Sequence, residues 1–228
     1  MFKLHYPYYT LVASLPPLPR FDRADRLPIN RVRLQERLTM LQPRHAETVQ
    51  RAAAFLEWQR HPDKVTDADM VADYERLMEE VMSQTLKAMI QFPAEIRTVM
   101  VALRRRKRGL PRPAPGEPWG VGRQVAHILR NWDDPNFRLQ PIYPWLPQAR
   151  EFLEAGETLA IERLLLRLVW DFADGVAQGH TFNFEAVLAY LFKWDTIERW
   201  LSYDPVPAKT RLDQLLAEVT DGHRPSFK

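Results

Sequence analysis

The chain has 228 residues, 46% of them hydrophobic, and its 32 basic and 29 acidic side chains leave a formal charge of +3. That length suits one large domain or two small ones, and that hydrophobic content excludes global disorder. The absence of cysteine excludes disulfides, thiolate metal sites and cysteine nucleophiles, and it fits a reducing cytoplasm.

Met1 to Tyr9 shows no apolar core of a signal peptide, and no uncharged apolar run approaches the roughly 18 residues of a membrane span. A soluble or peripheral protein is therefore expected. Tyr8 to Leu15 is rich in β-formers and ends at Pro16-Pro17, which predicts a short strand or a buried extended segment. Asn30 to Leu41, with Val32, Leu34, Leu38 and Leu41 apolar, reads as a short helix stopped by Pro43. His45 to Arg60 reads as a second, with Val49, Ala52, Ala53 and Leu56 on one face. Thr66 with Asp69 forms a capping-box variant at the start of a helix running to about Phe92. Pro93 is expected to end that helix and to serve as the first residue of the next, Ala94 to about Lys107.

Gly109 to Gly122 carries four prolines and four glycines without periodicity and reads as a linker. It divides the chain into an N-terminal helical half, 1–110, a linker, 111–122, and a C-terminal helical half, 123–228, or else joins one continuous domain. Arg123 to Trp132 is expected as a short helix, and Pro135 to Pro147 as a proline-aromatic connection. A longer helix follows from Gln148 to Gln178 with a break near Gly156, and Arg167 and Asp171 pair on it. Thr181 to Leu201 is the densest apolar run and reads as a core helix capped by Asn183. Its stripe holds Ala186, Val187, Tyr190, Trp194, Ile197 and Leu201, and Asp195 can pair with Arg199 on the polar side. Lys209 to Val219 makes a last short helix before a frayed tail. The expected fold class is all-α, a multi-helix array of hairpins, with one possible short strand at the N-terminus.

Arg104, Arg105, Arg106, Lys107 and Arg108 form the sharpest charge feature. Such a run contacts nucleic acid, acidic lipid headgroups or an acidic protein face, or it complements a helix C-terminus in solvent. No recognition motif accompanies it, which argues against nucleic acid. Asp67, Asp69 and Asp73 lack the glycine and distal glutamate of a calcium loop and suit a first helical turn. The six histidines are scattered, with no metal-ligand spacing. Gly120-Val-Gly122 is an incomplete dinucleotide fingerprint and reads as a turn. Ser14 and Ser202 lack a nucleophile context. No cofactor, metal or catalytic residue is expected. Trp170, Trp194 and Trp200 belong in the core. Trp119, Trp132 and Trp145 flank proline-rich connections, where they pack loops onto the core or anchor a partner.

Two strings resemble a known family. Tyr8 to Pro16 looks like the opening, and Phe182 to Trp200 like the closing helix, of bacterial proteins encoded beside V-type ATPase genes. Those proteins are similar to the C-type (in eukaryotes, d-type) subunit of V-type ATPases. The resemblance implies an all-helical, non-catalytic adaptor seated on the rotor ring that receives the central shaft. The implied partners are central-stalk and proteolipid-ring subunits, and the implied place is the cytoplasmic face of the membrane, held there peripherally through those partners. Under that reading Arg104 to Arg108, Trp119 and Trp145 are the candidate docking residues. The rival reading is a helical chaperone that grips a client peptide in an apolar groove. An enzyme would need a deep pocket with converging polar groups, and a nucleic-acid module would bind salt-sensitively through the basic run.

Overall fold

The computed structural model describes residues 7–58 and 66–203, and among these every regular element is helical. The expected all-α class is what the chain adopts. The elements are α1 (Tyr9–Ser14), a 3-10 turn (Phe21–Arg23), α2 (Arg31–Leu38), α3 (Pro43–Trp58), α4 (Asp67–Glu80), α5 (Gln84–Lys107), α6 (Val125–Arg130), α7 (Leu146–Ala155), α8 (Thr158–Gln178) and α9 (Phe184–Tyr203). The expected helix from Lys209 to Val219 and the tail after it lie outside the described residues. So do the side chains of Ala52 and Leu56 and the residues His5, His61 and His223.

Several boundaries follow local chemistry. Asn30 caps α2 by accepting from the Arg33 amide at 2.9 Å. Thr66 accepts from the Asp69 amide at 3.2 Å, and the Asp69 carboxylate accepts from the Thr66 amide at 3.3 Å, so the expected capping box forms. Asn183 accepts from the Ala186 amide at 3.1 Å at the start of α9. Gly156 is left-handed (φ 74°) and closes α7 with two bonds, Gly156 N to Leu153 O and Glu157 N to Phe152 O. That is a Schellman ending, and it makes the break between α7 and α8.

Two expectations need correction. Tyr8 to Leu15 is not a strand. Residues 9–14 form a helical turn in which the Val12 amide bonds to the Tyr8 carbonyl at 2.9 Å and Leu11 is buried. The β-formers there find no neighbouring strand, and packing decides instead. The helix expected to run from Thr66 to Phe92 breaks at Val81-Met82-Ser83, and Pro93 lies inside α5. Ser83 caps α5 by accepting from the Leu86 amide at 3.2 Å. Proline in a helix interior costs about 3 kcal/mol through a lost hydrogen bond and a ring clash. Burial of Leu86, Met89 and Ile90 before Pro93, and of Ala94, Ile96 and Val99 after it, outweighs that cost.

Helix α5 is the spine. Its first half packs with α1, α4, α8 and α9 around Tyr74, Leu77, Met89, Ala173 and Val187. Its second half packs with α6, α7 and α8 around Met100, Trp119, Ile128, Phe137, Leu146 and Ile161. Both clusters draw on residues from before and after the segment 109–122. Helices α8 and α9 form an antiparallel hairpin. Phe21 inserts between Trp170 of α8 and Trp200 of α9, with ring centroids 5.9 and 5.7 Å away. On the outer side of α9, Trp194 donates its indole N–H to the Ile29 carbonyl at 2.8 Å. Trp170, Trp194 and Trp200 are core residues, as expected. No helix among the described residues is long and apolar enough to cross a membrane.

Candidate functional site

The basic run at the end of α5 separates into two groups. Arg105 donates to the Pro111 carbonyl at 2.8 Å and to Glu117 at 2.6 Å, which ties the following segment back onto the helix. Arg106 bonds to the Asp134 carbonyl and lies over the Phe137 ring, 5.3 Å from its centroid. Lys107 bonds to the Leu153 carbonyl at the C-terminus of α7, the same carbonyl that accepts from the Gly156 amide. These three side chains hold neighbouring parts of the fold. Arg104 and Arg108 are exposed and point instead into a cleft.

That cleft, of about 550 Å³, lies between α5, α8 and α9. Ile96, Met100, Val101, Leu165, Val169 and Phe192 supply apolar lining. Arg97, Arg104, Arg105, Arg108 and Arg199 face three carboxylates, Asp67, Glu162 and Asp195. Arg199 bonds to Glu162 at 3.0 Å, so the cation expected to pair along α9 reaches across to α8. Burial pushes the Arg97 guanidinium below its usual range. Asp67 opposes this shift, while the charges of Arg104 and Arg199 add to it. The site is thus a strip of concentrated positive charge over an apolar floor. Residues 97, 101, 104 and 108 recur at helical steps, so one face of α5 presents them all.

A second polar cluster is buried behind that face. Glu95 is 3% exposed. Its Oε1 accepts from Gln91 Nε2 at 2.8 Å, the Arg123 amide at 3.0 Å and Arg123 Nε at 3.1 Å. Its Oε2 accepts from the Tyr143 hydroxyl at 3.0 Å. Burial pushes this carboxyl up, but the hydrogen bonds from Arg123 and Tyr143 together outweigh burial and hold it below the ordinary range. Burial and the Glu95 charge in turn push the Tyr74 hydroxyl up to about 12. One turn on, Thr98 Oγ1 accepts from the Val121 amide and donates to the Val121 carbonyl, both at 2.9 Å.

Gly120 and Gly122 allow this docking. A Cβ on Gly120 would lie 2.6 Å from Thr98, and one on Gly122 would lie 2.4 Å from Glu95, at φ 92°. The Gly120-Val-Gly122 turn therefore anchors this segment to α5. Both carboxylate oxygens of Glu95 accept hydrogen bonds from the protein itself, so the cluster is a brace.

Of the residues expected to dock a partner, Arg104 and Arg108 line the cleft, while Arg105 borders it and is engaged with Glu117. Trp119 is 2% exposed and packs in the core, which is the loop-packing use. Trp145 is half-buried and tilts against Tyr143, 5.6 Å between centroids. Trp132 is half-buried beside Phe137. Arg167 and Asp171 meet loosely at 4.0 Å. No group of three or more potential metal ligands occurs among the described residues. His45 stacks on Phe184 at 3.9 Å and shares a hydrogen bond with the Tyr8 hydroxyl. His180 shares one with Asn183 at 2.7 Å. Arg97 and Glu162 did not stand out in the sequence, and Arg199 stood out only as a partner for Asp195. The spacing of Arg97 from Arg104 and Arg108 carried a signal, but the contributions of α8 and α9 carried none.

No curated protein and no solved structure matches the chain. Residues 54–222 match the model of the family described as "Protein of unknown function (DUF2764)", so the chain belongs to that family.

Proposed function

We propose that this protein is a non-catalytic peripheral subunit or assembly factor of a rotary V-type ATPase, coupling the central shaft to the membrane rotor ring. The observation that carries the reading is the meeting of the two strings that resemble the ATPase-linked proteins. The Tyr8 amide donates to the Phe182 carbonyl at 3.1 Å. Tyr9 packs on Phe182 at 4.6 Å and Tyr8 on Phe184 at 6.4 Å between centroids. The Tyr190 hydroxyl donates to the Pro16 carbonyl at 3.0 Å. The resemblance thus covers one packed unit, the start of the chain laid along α9. A torque-transmitting adaptor needs such a rigid body, and close-packed helices resist deformation.

Under this reading the protein acts at the cytoplasmic face of the membrane and is held there by its partners. Arg104 and Arg108 are its docking cations, and the other members of the basic run hold the fold. Affinity isolation of the tagged protein from gently solubilised native membranes tests the proposal. Recovery of stalk and ring subunits in fixed ratio is expected. A partnerless monomer refutes it.

The cleft between α5, α8 and α9 favours a second reading, a helical chaperone that holds a client segment. Recovery of a single soluble client protein, with no ATPase component, selects that reading.

A further inference from the structure

We propose that the cleft between α5, α8 and α9 binds an acidic segment of a partner protein. The inference rests on the reading of this chain as a docking protein, and it names the chemistry of the segment docked. Charge complementarity is the first argument. Five arginines and three carboxylates line the cleft. Glu162 is bonded to Arg199 and Arg105 to Glu117, so those charges are largely met within the chain. Arg104 and Arg108 are exposed, and neither side chain makes a hydrogen bond or ion pair among the described residues. Arg97 is desolvated and attracted by Asp67, while the charges of Arg104 and Arg199 act against it. A carboxylate placed beside Arg104 and Arg108 offsets the repulsion between these cations and Arg97.

Shape is the second argument. The lining follows α5 from Pro93 to Arg108, about 23 Å at 1.5 Å per residue. Arg97 and Arg108 are about 16 Å apart along that axis. A compact anion such as phosphate reaches one of them at a time. A chain segment with several carboxylates reaches both. Asp67 and Asp195 interrupt the positive strip, which disfavours a uniformly charged nucleic-acid backbone. The apolar floor of Ile96, Met100, Leu165 and Val169 suits apolar side chains interleaved with the acidic ones. The arrangement matches an amphipathic acidic peptide, with its apolar side on the floor and its carboxylates on the arginines.

The test uses the purified full chain and two synthetic peptides of about 16 residues, long enough to follow α5. One is built from leucine and glutamate, the other from leucine and lysine in the same order. Titration calorimetry is expected to show binding of the glutamate peptide at least about tenfold tighter than the lysine peptide, weakening with salt. Arg104→Glu with Arg108→Glu is expected to lower that affinity at least about tenfold, while Arg112→Glu, outside the cleft, leaves it unchanged. If the double reversal perturbs folding, the neutral pair Arg104→Gln and Arg108→Gln serves instead.

Equal binding of the two peptides, or glutamate-peptide binding insensitive to both double variants, overturns the proposal. Tighter binding of a single-stranded oligonucleotide than of the glutamate peptide assigns the cleft to nucleic acid and overturns it also. Dimerisation in sedimentation that the double variant abolishes, without peptide binding, assigns the face to a second copy and overturns it too. The proposed ATPase association stands or falls separately. Ring and stalk subunits recovered with a protein that ignores the glutamate peptide remove this inference alone. Peptide binding without those subunits removes the ATPase reading alone.

Discussion

Replacing Glu95 probes the brace that fastens the segment 109–122 to α5. Glu95→Ala removes four hydrogen bonds at 2.8–3.1 Å. Their loss is not a simple sum, because water can replace some of them. The Arg123 side chain is 75% exposed, so solvent takes over its share at little cost. The Tyr143 hydroxyl is buried and loses its acceptor, which costs about 1–3 kcal/mol. The Arg123 amide and Gln91 are half-solvated and add about 1 kcal/mol between them. Recovery of the desolvation cost of the carboxylate offsets part of this total. With that offset the expected loss is about 1–3 kcal/mol, or about 2–12 °C in Tm for a chain of this size.

Glu95→Gln keeps the shape. Its carbonyl still accepts, and its amide can donate to Tyr143, so about 1 kcal/mol is expected. Urea unfolding of the two variants beside wild type measures both values. The pH dependence gives an independent check. The folded carboxyl lies below its ordinary value, so its contribution is complete above the unfolded pKa of about 4.3 and is lost as pH falls through the lower folded value. The gap between wild type and Glu95→Gln should therefore close on acidification below about pH 4. Glu95→Ala within about 0.5 kcal/mol of wild type at pH 7 refutes the brace, because that is the range of a surface change. So does a gap to Glu95→Gln that widens in acid.

Gly122→Ala is expected to destabilise by about 2–4 kcal/mol in urea unfolding, because φ is 92° and the new methyl meets Glu95. Trp194→Phe strands the Ile29 carbonyl and should cost about 1–3 kcal/mol by the same measurement. Arg106→Ala should speed amide exchange across 131–139, while Arg104→Ala leaves that region unchanged, since Arg106 bonds to the Asp134 carbonyl and Arg104 lines the cleft. Burial first, and Arg44 next, lower the His45 pKa, with Glu185 opposing. The unfolded chain therefore takes up this proton at a higher pH than the folded chain does, and stability falls as pH drops through about 6.5. His45→Gln should flatten that slope in denaturation curves taken from pH 7.5 to 5.5.

The sequence by itself determined the helical class, because the 3.6-residue spacing of apolar side chains is a local property. It also determined the caps at Thr66 and Asn183 and the break at Gly156, where one or two side chains or a single φ value set the boundary. It determined that α9 is buried, since an apolar face that wide must be covered. Tertiary structure decided where local preference and packing disagree. Tyr8 to Leu15 carries β-formers but turns helical against α9, and Pro93 stays inside α5 because both its flanks are core.

Tertiary structure also divided the basic run. In the sequence, Arg104 to Arg108 are five equal charges. In the fold, helical rotation sends Arg105, Arg106 and Lys107 to carbonyls and a carboxylate of neighbouring segments, and sends Arg104 and Arg108 into the cleft. The cleft itself was not legible, because Arg199 and Glu162 join Arg97 only when the α8–α9 hairpin packs on α5. Proximity between residues about 100 positions apart is a product of packing, and no local pattern encodes it.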